Sequence, residues 1–414
     1  MSHAKYPEMR DSDVRWIGHI PNEWRVVKIK SVAIIKTGST PTGNDGINLD
    51  SLGYSWFTPS DSKPSLILNN AKKYIASDSI KKYKISLYEP KTILFVGIGK
   101  IGLVGITNTL SYSNQQITAI QPNKVNPKFM LYSMTIASRA LGRIAPSTML
   151  PIVNNGLLAN TRIALPDSVT QQKIADFLDT ETAKIDNLIT KQEQLLKLLE
   201  EKRRATITSA VHPNTNTIEE RFRDICTLNP VTQASFKDDD IVSFYPMESI
   251  GDDSTIDHNQ TRPHSAVKAG YTVFQNDDVI VAKVTPCFEN YKGAHMTDIA
   301  SSVGFGTTEL FVLRANEKVT PKYLYWLTQA QDFNNHLAGG MRGTGGLKRV
   351  VPEELKNYKV KIPKLEVQKK IIIDLTENLN KFETLKRKVT KQIDLLKERR
   401  TSLISHAVTG KIRI

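Results

Sequence analysis

The chain has few cysteines, no long apolar run and none of the short motifs that mark a metal or nucleotide enzyme. Among its 414 residues the only cysteines are Cys226 and Cys287. Two thiols cannot build a thiolate metal site, and their neighbours in DICTLN and TPCFEN offer no second ligand at usual spacing. Each reads as a buried structural thiol in a reducing compartment, which places the expected location in the cytoplasm. No stretch of ~20 apolar residues is present to span a membrane. The opening, MSHAKYPEMRDSDVRW, carries charges where a secretory leader needs an apolar run. The eight histidines form no H-E-x-x-H, and no G-x-x-x-x-G-K-[ST] loop exists for a nucleotide. GIGKIG (Gly97, Gly99, Gly102) fits the dinucleotide fingerprint. The strand-like LVGIT follows it where a helix is required, so it reads as a hairpin turn. Asp238-Asp239-Asp240 and Asp252-Asp253 read as solvated turns rather than a cation site.

Acidic residues are scarce too, but only in one part of the chain. Net charge is +14, and residues 25–166 hold 17 basic and five acidic residues. Residues 212–365 hold 17 basic and 19 acidic ones. Scattered solvated lysines do not produce such a contrast. The first region is therefore expected to bind a polyanion, and the second must rely on local clusters.

What the chain does have is one long pattern, twice. The stretch from Pro166 to Val211 aligns without a gap on Pro363 to Val408, at an offset of 197 positions: Gln171 falls on Gln368, Leu188 on Leu385, Arg203 on Arg400. That period is too long for a solenoid and marks a duplicated domain-plus-helix. Apolar residues recur in steps of four and three, which predicts a rod in each copy. The predicted seams are Ile174, Leu178, Ile185, Leu188, Leu195 and Leu199, and Ile371, Leu375, Phe382, Leu385, Val389, Leu396 and Leu403. Gln192 interrupts the first; Asn378 and Gln392 interrupt the second. At ~1.5 Å rise per residue each rod is expected to be ~60 Å long. The rods pair antiparallel within the chain, or else pack in separate bundles or between chains.

The fold class expected is α+β, with two mixed α/β domains joined by two long antiparallel helices in a pseudo-two-fold repeat. The expected boundaries are an arm at 1–24, a domain at 25–166, a helix at 167–211, a second domain at 212–363, a second helix at 364–408 and a tail at 409–414. Trp16, Ile17, Ile20 and Trp24 anchor the arm on a neighbouring surface. Strand-like segments such as TILFVGIG and DDVIVAKV alternate with turns, and KFMLYSMTIASRALGR and TPKYLYWLT predict helices.

WIGHIPNEW, IKTGSTP, the junctions LPDSVTQQKIADFLD and IPKLEVQKKI, and the closing LLKERRTSLISHAVTGKI together resemble the specificity subunit of type I restriction–modification enzymes. The resemblance spans nearly the whole chain. It implies two target-recognition domains that read the two halves of a bipartite DNA target. Two conserved helices would set the spacer between the halves. It also implies docking of two methyltransferase subunits, with restriction subunits joining through the complex, and no catalysis by this chain. S-adenosylmethionine, ATP and Mg are then expected only on partner subunits. After the first rod the family often continues with a Thr-Gly tail, whereas HPNTNTIEE follows here. The adenine-methyltransferase motif is missing, because Asn229-Pro230 is followed by Val231. Rival readings are a fused modification or cleavage enzyme with divergent motifs, and a coiled-coil adaptor that binds nucleic acid without sequence preference.

Candidate DNA contacts follow from charge and loop chemistry. Lys36, Thr37, Ser39 and Thr40 form a polar loop suited to phosphate or base edges, or an ordinary turn. Lys72, Lys73, Lys81 and Lys82 make a basic cluster for phosphates, or a solvated face. Lys100 stands at the GIGKIG tip. Arg143, Ser147 and Thr148 belong to the loop before the first rod. Arg342, Thr344, Lys348 and Arg349 belong to the glycine-rich loop before the second, read either as a DNA-approaching loop or as a flexible hinge.

Overall fold

The duplication in the sequence carries into the backbone. The computed structural model describes residues 4–49, 53–61, 66–99, 101–144, 152–213, 217–233, 235–251 and 255–414. Two helices of 44 residues, Ser168–Val211 and Leu365–Val408, keep the offset of 197 at both ends. The short helices Asn155–Asn160 and Pro352–Asn357 keep it as well.

The elements of the first half are β1 (Arg25–Lys28), β2 (Ala33–Thr37), β3 (Tyr54–Phe57), α1 (Ser77–Tyr83), β4 (Ile93–Val96), β5 (Val104–Thr107), β6 (Ser111–Ser113), β7 (Ile117–Pro122), α2 (Pro127–Ile144), α3 (Asn155–Asn160), β8 (Arg162–Leu165) and α4 (Ser168–Val211). Those of the second are β9 (Thr217–Arg221), β10 (Cys226–Leu228), β11 (Ile241–Tyr245), β12 (Asp278–Ala282), β13 (Gly293–His295), β14 (Val303–Gly306), β15 (Leu310–Ala315), α5 (Pro321–Thr328), α6 (Gln331–Gly339), β16 (Arg342–Thr344), β17 (Leu347–Arg349), α7 (Pro352–Asn357), β18 (Lys359–Pro363) and α8 (Leu365–Val408). The chain forms two compact units: Met1–Lys191 with Gln392–Ile414, and Gln192–Lys391. Each long helix contributes a part to both.

In the first unit the main sheet runs β2-β7-β4-β5, with Ile67–Leu68 added at its far edge. In the second it runs β10-β15-β12-β13, the same order of equivalent strands. Alternation explains why the central strands read as unbroken apolar runs. Ile93 and Phe95 of β4 join the core under α2, while Leu94 and Val96 join a second core with Phe57 and Tyr88. Val279 and Val281 of β12 face α5, and Ile280 and Ala282 face the opposite core. A strand buried on both faces has no polar position to spare, so Phe95→Ala would cost about 3–5 kcal/mol. β4 and β5 pair antiparallel, so the GIGKIG segment joins two strands and no helix follows it. A second sheet in each unit is built on a parallel pair, β3 with β6 and β11 with β14.

Helix ends complete both cores. Ile404, Ala407 and Val408 of α8 are buried with Ile17, Ile20 and Trp24 of the arm, while Trp16 is half-buried. Ile207 and Val211 of α4 are buried with Phe222 and Tyr323, and the Tyr323 hydroxyl donates to Val211 O at 2.8 Å. In each unit the early part of one long helix lies beside the late part of the other. Arg400 makes a double contact with Asp186 at 2.8 and 3.2 Å in the first unit. Arg203 stands 3.8 Å from Glu383 in the second.

Ile174, Leu178, Ile185, Leu375 and Val389 are buried, and Leu199, Ile371, Phe382, Leu396 and Leu403 are partly so. Leu188, Leu195 and Leu385 remain 47%, 40% and 46% exposed. Asn378 and Gln392 are exposed rather than in the seam; their neighbours Leu379 and Ile393 are buried. A strict seven-residue reading drifts by ~20° per heptad against a helix of 3.6 residues per turn. Over 44 residues that drift is enough to exchange one seam position for the next.

Two equivalent glutamines tie each long helix to its domain. Gln171 Nε2 donates to Pro166 O at 2.8 Å, and its Oε1 accepts the Asn126 N–H at 2.8 Å. Gln368 Nε2 donates to Pro363 O and Lys318 O, and its Oε1 accepts the Thr320 N–H, each at 2.9 Å. Asn126 and Thr320 in turn accept the first backbone N–H groups of α2 and α5, as N-caps do. Cys226 is buried, which pushes its thiol up to about 12, and Cys287 is half-buried. Among the described residues no helix is long and apolar enough to cross a membrane.

Candidate nucleic-acid interface

One edge of each main sheet gathers the polar loops. In the first unit the loop after β2 hydrogen-bonds to the end of β6 and the start of β7, through Ser39 N to Ser113 O and Gly38 N to Ile117 O, both at 3.0 Å. Gly38 permits this approach, since a Cβ there would fall 2.1 Å from Asn114 O. The segment before α3 joins the same edge, with Val153 N 2.8 Å from Gly97 O.

The side chains on this edge are amides and hydroxyls. Asn155 Nδ2 donates to Thr37 Oγ1 at 2.5 Å, and its Oδ1 accepts from Thr118 Oγ1 at 3.1 Å. Thr40 donates to the exposed Gln115, and Asn114 Nδ2 donates to Gln116 Oε1 at 2.9 Å. Amide pairs of this kind match the donor and acceptor pattern of base edges. Gln115 and Asn155 were not singled out in the sequence. The amide-rich QQ and NNG segments carry their signal, but only the sheet brings them to Thr37 and Thr40.

The loop then runs on to the basic helix. Asp45 accepts from Lys82 Nζ at 2.9 Å and from the Tyr83 hydroxyl at 3.1 Å. The Lys82 hydrogen bond, then that of Tyr83, holds the Asp45 carboxyl below its usual range. Lys72, Lys73 and Lys81 are exposed nearby in the chain, and Lys36 is half-exposed on β2. Arg143 is exposed at the end of α2. Lys100, Ser147 and Thr148 lie outside the described residues, as do Asp252 and Asp253.

The second unit repeats the arrangement with different chemistry. Asn229 follows β10 and exchanges hydrogen bonds with the Val312 backbone at 2.7 and 3.0 Å. Beside it a cleft of about 470 Å³ is lined by Val231, Thr232, Thr272, Lys283 and Thr308 among others. The glycine-rich stretch is not a loose loop. Residues 342–349 form a β-hairpin, with Arg342 opposite Arg349 and Thr344 opposite Leu347. Gly345 and Gly346 close it at φ 63° and 80°, values that two successive glycines accept without steric cost. Arg349 is held by Glu309 through contacts of 2.9 and 2.6 Å, and this pair keeps the Glu309 carboxyl below its usual range. Arg342, Thr344 and Lys348 are exposed. The hairpin stands at the edge corresponding to that of Thr37 and Asn155, since Val350 N donates to Lys283 O at the end of β12.

The family model for the type I restriction modification DNA specificity domain matches this chain twice, over residues 21–198 and 220–395. The chain belongs to that family. The chain is 33% identical over 172 residues, 41% of its length, to the type I restriction enzyme EcoAI specificity subunit of Escherichia coli. It is 26% identical over 205 residues, 47% of its length, to the MjaIX specificity subunit of Methanocaldococcus jannaschii. These matches span 29% and 44% of the two relatives' lengths, so the chain covers less than half of either. A solved structure from work on complex assembly and conformational transition of the type I R-M system superposes with a TM-score of 0.71 at 14% identity. It covers 95% of this chain and 99% of its own, and establishes that the fold is shared.

Proposed function

We propose that this chain is the DNA sequence-specificity subunit of a type I restriction–modification complex. Residues 25–166 and 212–363 act as target-recognition domains, and each reads one half of a bipartite double-stranded target. The helices at 167–211 and 364–408 set the spacer and dock two methyltransferase subunits; residues 1–24 and 409–414 close the first domain as arm and tail. Restriction subunits join through the complex. The chain does no chemistry itself, so S-adenosylmethionine, ATP and Mg belong to its partners in the cytoplasm. The observation that carries this reading is the pair of equivalent sheet edges. One scaffold presents amides and hydroxyls in one unit and a cationic hairpin in the other, as expected of a protein reading two different sequences. Lys72, Lys73 and Lys81 then serve phosphates, which strengthens binding without specifying sequence, while Lys82 is held by Asp45.

Methylation mapping in cells carrying this chain with its methyltransferase subunits tests the proposal. One bipartite motif is the expected result. Inserting seven residues at matched points of both helices adds ~10 Å of helix, about three base pairs of B-DNA, and the spacer should lengthen accordingly. Modification without any motif, or S-adenosylmethionine binding by the chain alone, would refute the reading.

A further inference from the structure

The hairpin of the second unit is exposed along its whole length, from Arg342 to Arg349, and contains three cations and no acid. Alternation places Arg342, Thr344, Leu347 and Arg349 on one face of the ribbon. The stem is pinned. Thr285 N donates to Lys348 O, and Thr285 Oγ1 accepts the Lys348 N–H, both at 3.0 Å. Arg349 is occupied by Glu309, so it positions the ribbon rather than contacting a ligand. Among the described residues the side chains of Arg342 and Lys348 have no partner. Leu347, next to the turn, is 48% exposed and joins none of the hydrophobic clusters of the second unit.

We propose that this ribbon enters the major groove of one half-site, with Arg342 and Lys348 on phosphates and Leu347 against the C5-methyl group of a thymine. The inference rests on the DNA-recognition reading above and adds to it the base and the atom recognised. The major groove is wide enough for a two-stranded ribbon. Within it the thymine methyl is the apolar feature of the base edges, the one group for which an exposed leucine is the fitting partner. Two unpaired cations on the same ribbon, one on each face, favour a polyanion over an apolar protein surface.

The test uses the chain assembled with its methyltransferase subunits and a duplex bearing the mapped motif. Each thymine of either half-site is replaced in turn by deoxyuridine, which removes only the methyl group. One position should weaken binding about fourfold, the effect of one buried methyl. Leu347→Ala should weaken binding to the normal duplex by a similar factor and abolish the difference between thymine and uracil there. The proposal is overturned if no thymine is sensed while the motif is still methylated, or if Leu347→Ala senses uracil as the wild type does. Loss of the methyltransferase subunits from the Leu347→Ala complex would also overturn it, because the leucine would then be meeting protein. Absence of any motif in the wild type brings down the recognition reading itself, and this one with it.

Discussion

Replacing Gln368 by leucine removes three hydrogen bonds while keeping the volume of the side chain. Gln368 is fully buried, and the change strands Pro363 O in the interior and deprives Lys318 O and the Thr320 N–H of their partner. A buried group left unpaired costs ~1–3 kcal/mol, and the two partly buried groups, which water can reach, cost ~1 kcal/mol each. The expected loss is therefore about 3–5 kcal/mol for the second unit. Gln171→Leu strands one group fewer and should cost about 1 kcal/mol less, in the first unit. Of the four tryptophans, Trp326 alone belongs to the second unit, while Trp16, Trp24 and Trp56 belong to the first. Urea unfolding followed by fluorine NMR of 5-fluorotryptophan separates them. With a slope of ~2 kcal/mol per molar urea, Gln368→Leu should lower the Trp326 midpoint by roughly 2 M. Gln171→Leu should move the other three. A shift under ~0.5 kcal/mol, or one shared equally by all four signals, would refute the account of these glutamines as local ties.

Asp332 accepts the Tyr358 hydroxyl at 2.8 Å and lies 2.9 Å from His212 Nε2. Burial raises its pKa, but the contacts with His212 and Tyr358 outweigh that and lower it to about 2. Its contribution is therefore present above pH ~4 and lost as pH falls towards 2. The carboxylate is 46% exposed, so solvent screening limits the gain to about 1 kcal/mol. Stability of the second unit measured from pH 5 to 2 should show that loss, and Asp332→Asn should flatten it. Along the helices, a double-mutant cycle on Arg400 and Asp186 should give a coupling of about 1 kcal/mol. Arg203 and Glu383, at 3.8 Å, should couple by less than ~0.5 kcal/mol; equal values would contradict the geometry.

The sequence by itself determined the duplication, the two rods, the apolar central strands and the family. The first three rest on periodicity and on an offset that keeps its value over 44 residues, which are local or register-like signals, and the family rests on short motifs such as WIGHIPNEW and IKTGSTP kept in order along the chain. The rods were legible because neither copy contains Pro or Gly. Their seam was less so: Leu379 and Ile393 are buried in place of Asn378 and Gln392, since the neighbour settles which side of a drifting stripe is covered. Only tertiary structure decided which side chains share the polar edge. Thr37 meets Asn155, and Thr40 meets Gln115, across long stretches of chain because β2 and β7 are adjacent and α3 returns to their edge. The glycine-rich stretch before α7 looked loose, because glycine signals freedom in an isolated segment. In the fold, Thr285 and Glu309 convert that freedom into a closed hairpin, and Glu309 occupies Arg349 in doing so. Hydrogen bonds between distant segments leave no periodic trace in a sequence, so which cations stay unpaired is a property of the fold.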